Sequence, residues 1–221
     1  MSVFDKWAWI KRNWTYIIKE ASNLDLVFVG GTALNLALFN EYRASEDIDL
    51  YDPHASSIGT DHEEKMIEQL KDKLVKKGFE INSAKKHTLY IGPNIKIDVF
   101  NNATSYNHIE KKVIEQTPVL LFDVQTYLNM KINSLLCRSL YDARDLVDLF
   151  VIKKETSISF SFPAIDCPII EESFKEGLQE IDETKKDDLL IFQTRDQLMN
   201  LPIDEFFTFK RWLYGWLSRF R

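Results

Sequence analysis

Residues 27–51, VFVGGTALNLALFNEYRASEDIDLY, constrain this chain more than any other stretch. A β-branched run breaks at Gly30-Gly31, resumes as a helical pattern and closes on Asp47-Ile48-Asp49 inside a second apolar run. That spacing predicts a strand, a tight turn, a helix and a strand. Two glycines ahead of a helix leave backbone N–H groups bare at its positive end, where a phosphate can be held. Asp47 and Asp49 are two residues apart, so on a strand both side chains stand on one face. Paired carboxylates on a rigid strand beside a phosphate cradle are what magnesium-assisted phosphoryl transfer requires.

Gly30 to Leu34 (GGTAL) followed by the R-x-S-x-D-I-D-L of Arg43 to Leu50 resembles the signature of the nucleotidyltransferase superfamily, in its abortive-infection toxin-type (AbiEii-like) branch. Thr32 stands where the wider superfamily has Ser, a change that keeps the hydroxyl. Gly-Gly turns and D-x-D strand edges are each common alone; in this order, with Arg43 and Ser45 between them, they point to function. The resemblance implies transfer of a nucleoside monophosphate from an NTP to an acceptor hydroxyl, with pyrophosphate leaving. Asp47 and Asp49 would hold Mg2+ (or Mn2+) against the triphosphate. Gly30, Gly31 and Thr32 would cradle the phosphates, and Arg43, Ser45 and Lys131 would neutralise or orient them.

A third carboxylate is implied on a neighbouring strand. In Ile95–Phe100 the residues Ile95, Ile97 and Val99 share one face, which puts Asp98 on the other face with Lys96. The resemblance assigns Asp98 to a second metal position and to the acceptor hydroxyl as base or metal ligand; a structural salt bridge to Lys96 is the competing reading. On the predicted helix 124–138, Val124, Leu128, Lys131 and Leu135 form one apolar stripe, so Lys131 must snorkel or meet an anion. A triphosphate or an aspartate would serve. Arg144, Asp145 and Asp148 follow on the next helix in an Arg-Asp-x-x-Asp pattern, also found in the toxin-type branch. Fastening the helical part and acting directly in catalysis are both open roles for them.

At 221 residues the chain can hold one large domain or two small ones. The expected fold is α/β (α+β), a nucleotidyltransferase-like domain over 1–118 with a small mixed sheet, then a helical bundle domain over 119–221. The boundary is expected at Pro118, and helix 3–21 is free to pack elsewhere. Strands are expected at 79–84, 87–92 and 95–100, and a helix capped at Thr60 is expected to end at Gly78. Cys137 and Cys167 form no C-x-x-C spacing, so neither a disulfide framework nor a zinc site is supported. The net charge of -6 argues against a wholly basic nucleic-acid-coating surface. The start MSVFDKWAWIKRNW is too charged for a signal peptide, and no apolar run reaches the ~20 residues of a membrane span, so a cytoplasmic protein is expected. Residues 170–200 read as helical and acidic. From Phe206 to Arg221 a helical aromatic seam carries Lys210, Arg211, Arg219 and Arg221; core packing explains most of it, and nucleic-acid contact is the sharper alternative.

The acceptor implied by the resemblance is a transfer RNA or other RNA 3′ end, or a protein, with an antitoxin as possible partner. A small-molecule, antibiotic-type nucleotidyltransferase shares every one of these residues. A non-catalytic nucleotide- or partner-binding module is the remaining alternative, disfavoured because all three carboxylates are present.

Overall fold

The computed structural model describes residues 2–55, 61–101, 108–137, 143–161, 179 and 202–220. The chain divides into two compact units, Met1–Asn40 with Ala44–Asp123, and Glu41–Arg43 with Val124–Arg221.

The first unit opens with α1 (Val3–Ser22), started by a capping box in which Ser2 and Asp5 bond each other's backbone N–H. Then come β1 (Val27–Val29), α2 (Gly30–Ala33) continuing as a π-helical turn (Leu34–Leu38), β2 (Asp47–Tyr51), α3 (Asp61–Lys76), β3 (Ile81–Lys85), β4 (Thr88–Ile91) and β5 (Ile95–Phe100). The helix expected after Gly-Gly is therefore short and changes register midway. The five strands form one mixed sheet in the order β1-β2-β5-β4-β3, with β2 and β5 parallel and the other pairs antiparallel.

Period-two alternation gives this sheet one apolar and one polar face. Ile48 and Leu50 of β2, and Ile95, Ile97 and Val99 of β5, are fully buried, while Asp47, Asp49, Lys96 and Asp98 lie on the opposite side. Phe28 pairs with Leu50, and Trp14 stacks on Phe28 with ring centroids 6.1 Å apart, so α1 covers the apolar face. The tryptophans Trp7 and Trp14 are core anchors, as the sequence spacing implied. Helix α3 ends at Gly78, whose φ of +87° lets the Phe79 N–H reach back to the Leu74 carbonyl. Thr60, its expected cap, lies outside the described residues, as do Cys167, the side chain of Cys137 and all of 170–200 except Gln179.

A separate hairpin, β6 (Ile109–Ile114) and β7 (Thr117–Phe122), completes the unit. Only the end of β7 was legible as an apolar run. The expected boundary at Pro118 falls inside β7, which packs on α1 and β1, so the first unit extends to Asp123. Ser22 and Leu120 are joined by a hydrogen bond, and Tyr51 packs its ring on Phe122 at 5.3 Å.

The described elements of the second unit are helical: α4 (Val124–Cys137), α5 (Ala143–Glu155), α6 (Ile203–Leu217) and a 3-10 turn (Ser218–Phe220). Helix α4 packs on α5, and α5 on α6 through Phe150 against Phe206 and Phe209. Among the described residues no helix is long and apolar enough to cross a membrane.

Candidate active site

Strand pairing brings the three expected carboxylates together. Asp49 is in register with Asp98 across the parallel β2–β5 pair, and Asp47 with Lys96. Cross-strand neighbours on one face stand about 5 Å apart, so three carboxylates and one ammonium share a small patch of the polar face. On the next strand Thr88 is in register with Asp98 and donates its hydroxyl to Asp98 Oδ1 at 2.6 Å. Lys96 Nζ pairs with Asp98 Oδ2. Burial alone would lower the Lys96 pKa, but the hydrogen bond to Asp98 and the charges of Asp98, Asp47 and Asp49 together raise it. The patch is half open to solvent, with the side chains of Lys96 and Asp98 39% and 18% exposed.

The turn into α2 is built around Asp49. Gly30 has φ +75°, and a Cβ added there would lie 2.2 Å from Asp49 Oδ2. Only glycine meets both demands, a left-handed backbone and a carboxylate against its Cα. Thr32, fully buried, sits 2.6 Å from Ser45 Oγ and 2.5 Å from the Asp47 carbonyl oxygen. A hydroxyl has one proton and the carbonyl can only accept, so Thr32 donates to Asp47 and Ser45 donates to Thr32. Thr32 and Ser45 thus tie the start of α2 to the first residue of the carboxylate strand.

The remaining candidates meet in the second unit. Arg43 binds Asp148 in a bidentate pair, Nε to Oδ1 at 2.6 Å and Nη2 to Oδ2 at 2.8 Å. Tyr42 donates its hydroxyl to Asp148 Oδ1 at 2.8 Å. Lys131 Nζ lies 2.8 Å from Asp145 Oδ1 and 2.6 Å from Asp148 Oδ2, so the anion met by this lysine is a pair of aspartates. Arg43, Lys131, Asp145 and Asp148 are all buried, whereas Arg144 is half-buried. Burial would raise the Asp148 pKa, but Arg43 and Lys131 beside it hold the carboxyl well below the usual range. Burial would likewise lower Lys131, and the fields of Asp145 and Asp148 push it up instead. Tyr42 is raised by burial and by Asp148. Tyr42 was not singled out in the sequence; its position next to Arg43 was the one available hint. In α6, Lys210 is buried while Arg211 is exposed and near Thr208, which restricts any nucleic-acid role of that helix to Arg211 and its neighbours.

Among the described residues no group of three or more His, Cys, Asp or Glu side chains forms a ready metal cage. Mg2+ does not need one, since it keeps much of its hydration and is bound by one or two carboxylates plus substrate phosphates. Asp47 and Asp49, hard oxygen donors on one strand face with Gly30 cleared away beside Asp49, fit that requirement.

A family model for the nucleotidyl transferase AbiEii toxin of a type IV toxin–antitoxin system matches residues 15–207. A crystal structure from H. pylori, whose nucleotidyltransferase designation is provisional, is similar over 100% of this chain and 99% of its own, at 17% identity and a TM-score of 0.55. An antigenic nucleotidyltransferase-like protein from Paracoccidioides brasiliensis aligns with 80% of this chain and 88% of its own, at 18% identity and a TM-score of 0.46. No curated protein matches the chain. The H. pylori likeness speaks for the fold alone, a mixed α/β architecture shared from end to end.

Proposed function

The chain belongs to the AbiEii nucleotidyl transferase toxin family, and on that premise we propose that it moves a nucleoside monophosphate from an NTP to the hydroxyl of an RNA 3′ end or a protein. It is a nucleotidyltransferase of a toxin system; the metal, the acceptor and the residue roles are our reading. The observation that carries this reading is the register of Asp47, Asp49 and Asp98 on adjacent strands, with Gly30 packed against Asp49.

Asp47 and Asp49 would hold a divalent cation, Mg2+ or Mn2+, which when bound supplies charge neutralisation at the triphosphate. Gly30 and Gly31 leave the backbone bare where phosphates would lie. The acceptor oxygen forms a bond to the α-phosphorus, the bond from that phosphorus to the β-bridging oxygen breaks, and pyrophosphate leaves with that oxygen's electron pair. The proton of the acceptor hydroxyl is released beside Asp98, which Thr88 and Lys96 hold in place. Thr32 and Ser45 act by holding the carboxylate strand. Arg43 and Lys131 act through Asp145 and Asp148, fastening α4, α5 and residues 41–43 into what we read as the helical bundle domain. An antitoxin is the partner that a toxin of this family calls for.

The test is incubation of the protein with each α-labelled NTP, Mg2+ or Mn2+, and total RNA or cell lysate. Label in RNA or protein that vanishes in Asp49→Ala supports the reading. Label only in small molecules would favour an antibiotic-type enzyme, and no label with any NTP would favour a binding module.

A further inference from the structure

The polar face of the sheet holds four ionisable side chains in two registers, and one of them is a cation. Lys96 sits across from Asp47 on β2 and two residues before Asp98 on its own strand, and its ammonium pairs with Asp98. Thr88 donates to the other oxygen of the same carboxylate at 2.6 Å. Both oxygens of Asp98 therefore already hold a donor. A metal ion approaching Asp98 would have to displace an ammonium, and would then face that ammonium a few ångströms away.

Charge bookkeeping points the same way. Three carboxylates carry three negative charges and Lys96 cancels one of them, which leaves the charge of one divalent cation. Two divalent cations would leave the patch with net positive charge while an ammonium sits among them, a like-charge contact with no anion left to offset it.

We propose that Lys96 takes the place of a second metal ion, so that this enzyme binds one divalent cation, at Asp47 and Asp49, and keeps Asp98 in position through the Lys96 ammonium. The inference rests on the nucleotidyl-transfer reading above and revises it at one point, since Asp98 then serves as a partner of Lys96 and not as a metal ligand. Lys96 is a positioning residue in this arrangement: it acts on the reaction through Asp98 and through the charge it contributes to the patch. The lysine is half-exposed, so its replacement alters the patch without opening the core.

The experiment is a Mn2+ titration of the full chain followed by electron paramagnetic resonance, with circular dichroism confirming that each variant is folded. Wild type is expected to bind one Mn2+ per chain. Lys96→Met, which removes the ammonium, is expected to bind two, and Lys96→Arg, which restores a cation, to return to one. Asp98→Asn in the wild-type background is expected to bind one ion with affinity within about threefold of wild type, since Asp98 is not a ligand. Two ions in wild type, one ion in Lys96→Met, or loss of binding in Asp98→Asn would each overturn the assignment of Lys96. Wild type binding no Mn2+, or Asp49→Asn binding as wild type does, would instead remove the metal from the proposed reaction, and the inference would fall with it.

Discussion

The half-open carboxylate patch on the sheet and the buried quartet of the helical unit use the same residue types in opposite ways. On the sheet, Asp47, Asp49 and Asp98 outnumber their one local cation, Lys96, and keep access to solvent. In the helical unit Arg43 and Lys131 balance Asp145 and Asp148 one for one, with Asp148 completely buried. A patch with surplus charge of one sign and a route to water gains from binding an ion. A balanced cluster sealed from water gains nothing from a ligand and resists losing any member, because each removal strands a partner in low dielectric. The comparison predicts that substitutions on the sheet change chemistry and that substitutions in the quartet change stability.

The largest expected effect is therefore structural. Asp148→Asn leaves Arg43 and Lys131 buried with only Asp145, and should cost about 3–5 kcal/mol of folding free energy, read by urea denaturation. The pH dependence follows from the same residue. Its folded pKa is depressed, so its contribution is fully present above the unfolded carboxylate value near 4 and is lost as the pH falls through the lower folded value. Wild type should lose stability across that acid range and Asp148→Asn should show a flatter acid limb. A variant that melts with wild type would dissolve the contrast between the two clusters.

Asp49→Ala should show the opposite pattern, a loss of transfer of at least about 10²-fold with an unchanged or slightly raised melting temperature, since removing one of several like charges relieves repulsion. Lys131→Met is its mirror. Although the helical stripe alone pointed equally to a triphosphate, two aspartates now surround the ammonium, and the expected result is a loss of about 3 kcal/mol in stability. Normal melting with weakened NTP binding in Lys131→Met would return this lysine to the nucleotide.

Gly30→Ala sharpens the comparison from the backbone. A left-handed φ costs a residue with a Cβ about 1–2 kcal/mol, and the new methyl would displace Asp49 as well. Stability should drop by that amount and transfer by more than stability explains, measured as kcat at a temperature where the variant stays folded.

Most of the sheet was legible because its strands alternate cleanly. Ile95, Ile97 and Val99 against Lys96 and Asp98 give the two faces directly, and the D-x-D spacing puts Asp47 with Asp49. Strand β6 was not legible. Its sequence IEKKVI is mostly exposed and carries a weak pattern, and its turn to β7 is Glu115-Gln116, both at positive φ, where Asn-Gly would have signalled a hairpin. The partner of Lys131 was narrowed to an anion by burial alone, but its identity depended on α4 and α5 packing together. Arg43 was misleading for a related reason: it belongs in sequence to the carboxylate motif and in space to Asp148, a residue 105 positions away.

The smallest effect concerns Thr32, where the hydroxyl either contacts phosphate or fastens the carboxylate strand. Its proton goes to the Asp47 carbonyl and its oxygen receives Ser45, so the hydroxyl is engaged within the fold. Thr32→Ser keeps that chain of hydrogen bonds and loses one buried methyl, which should cost about 1 kcal/mol and change transfer by less than about threefold. Thr32→Val keeps the shape but removes the donor, leaving the Asp47 carbonyl and the Ser45 hydroxyl to find other partners, and should cost about 1–3 kcal/mol. Thermal melts and NTP affinity measured on the pair decide between the roles. If valine weakens NTP binding tenfold while melting as the serine variant does, the hydroxyl belongs to the phosphate and not to the strand.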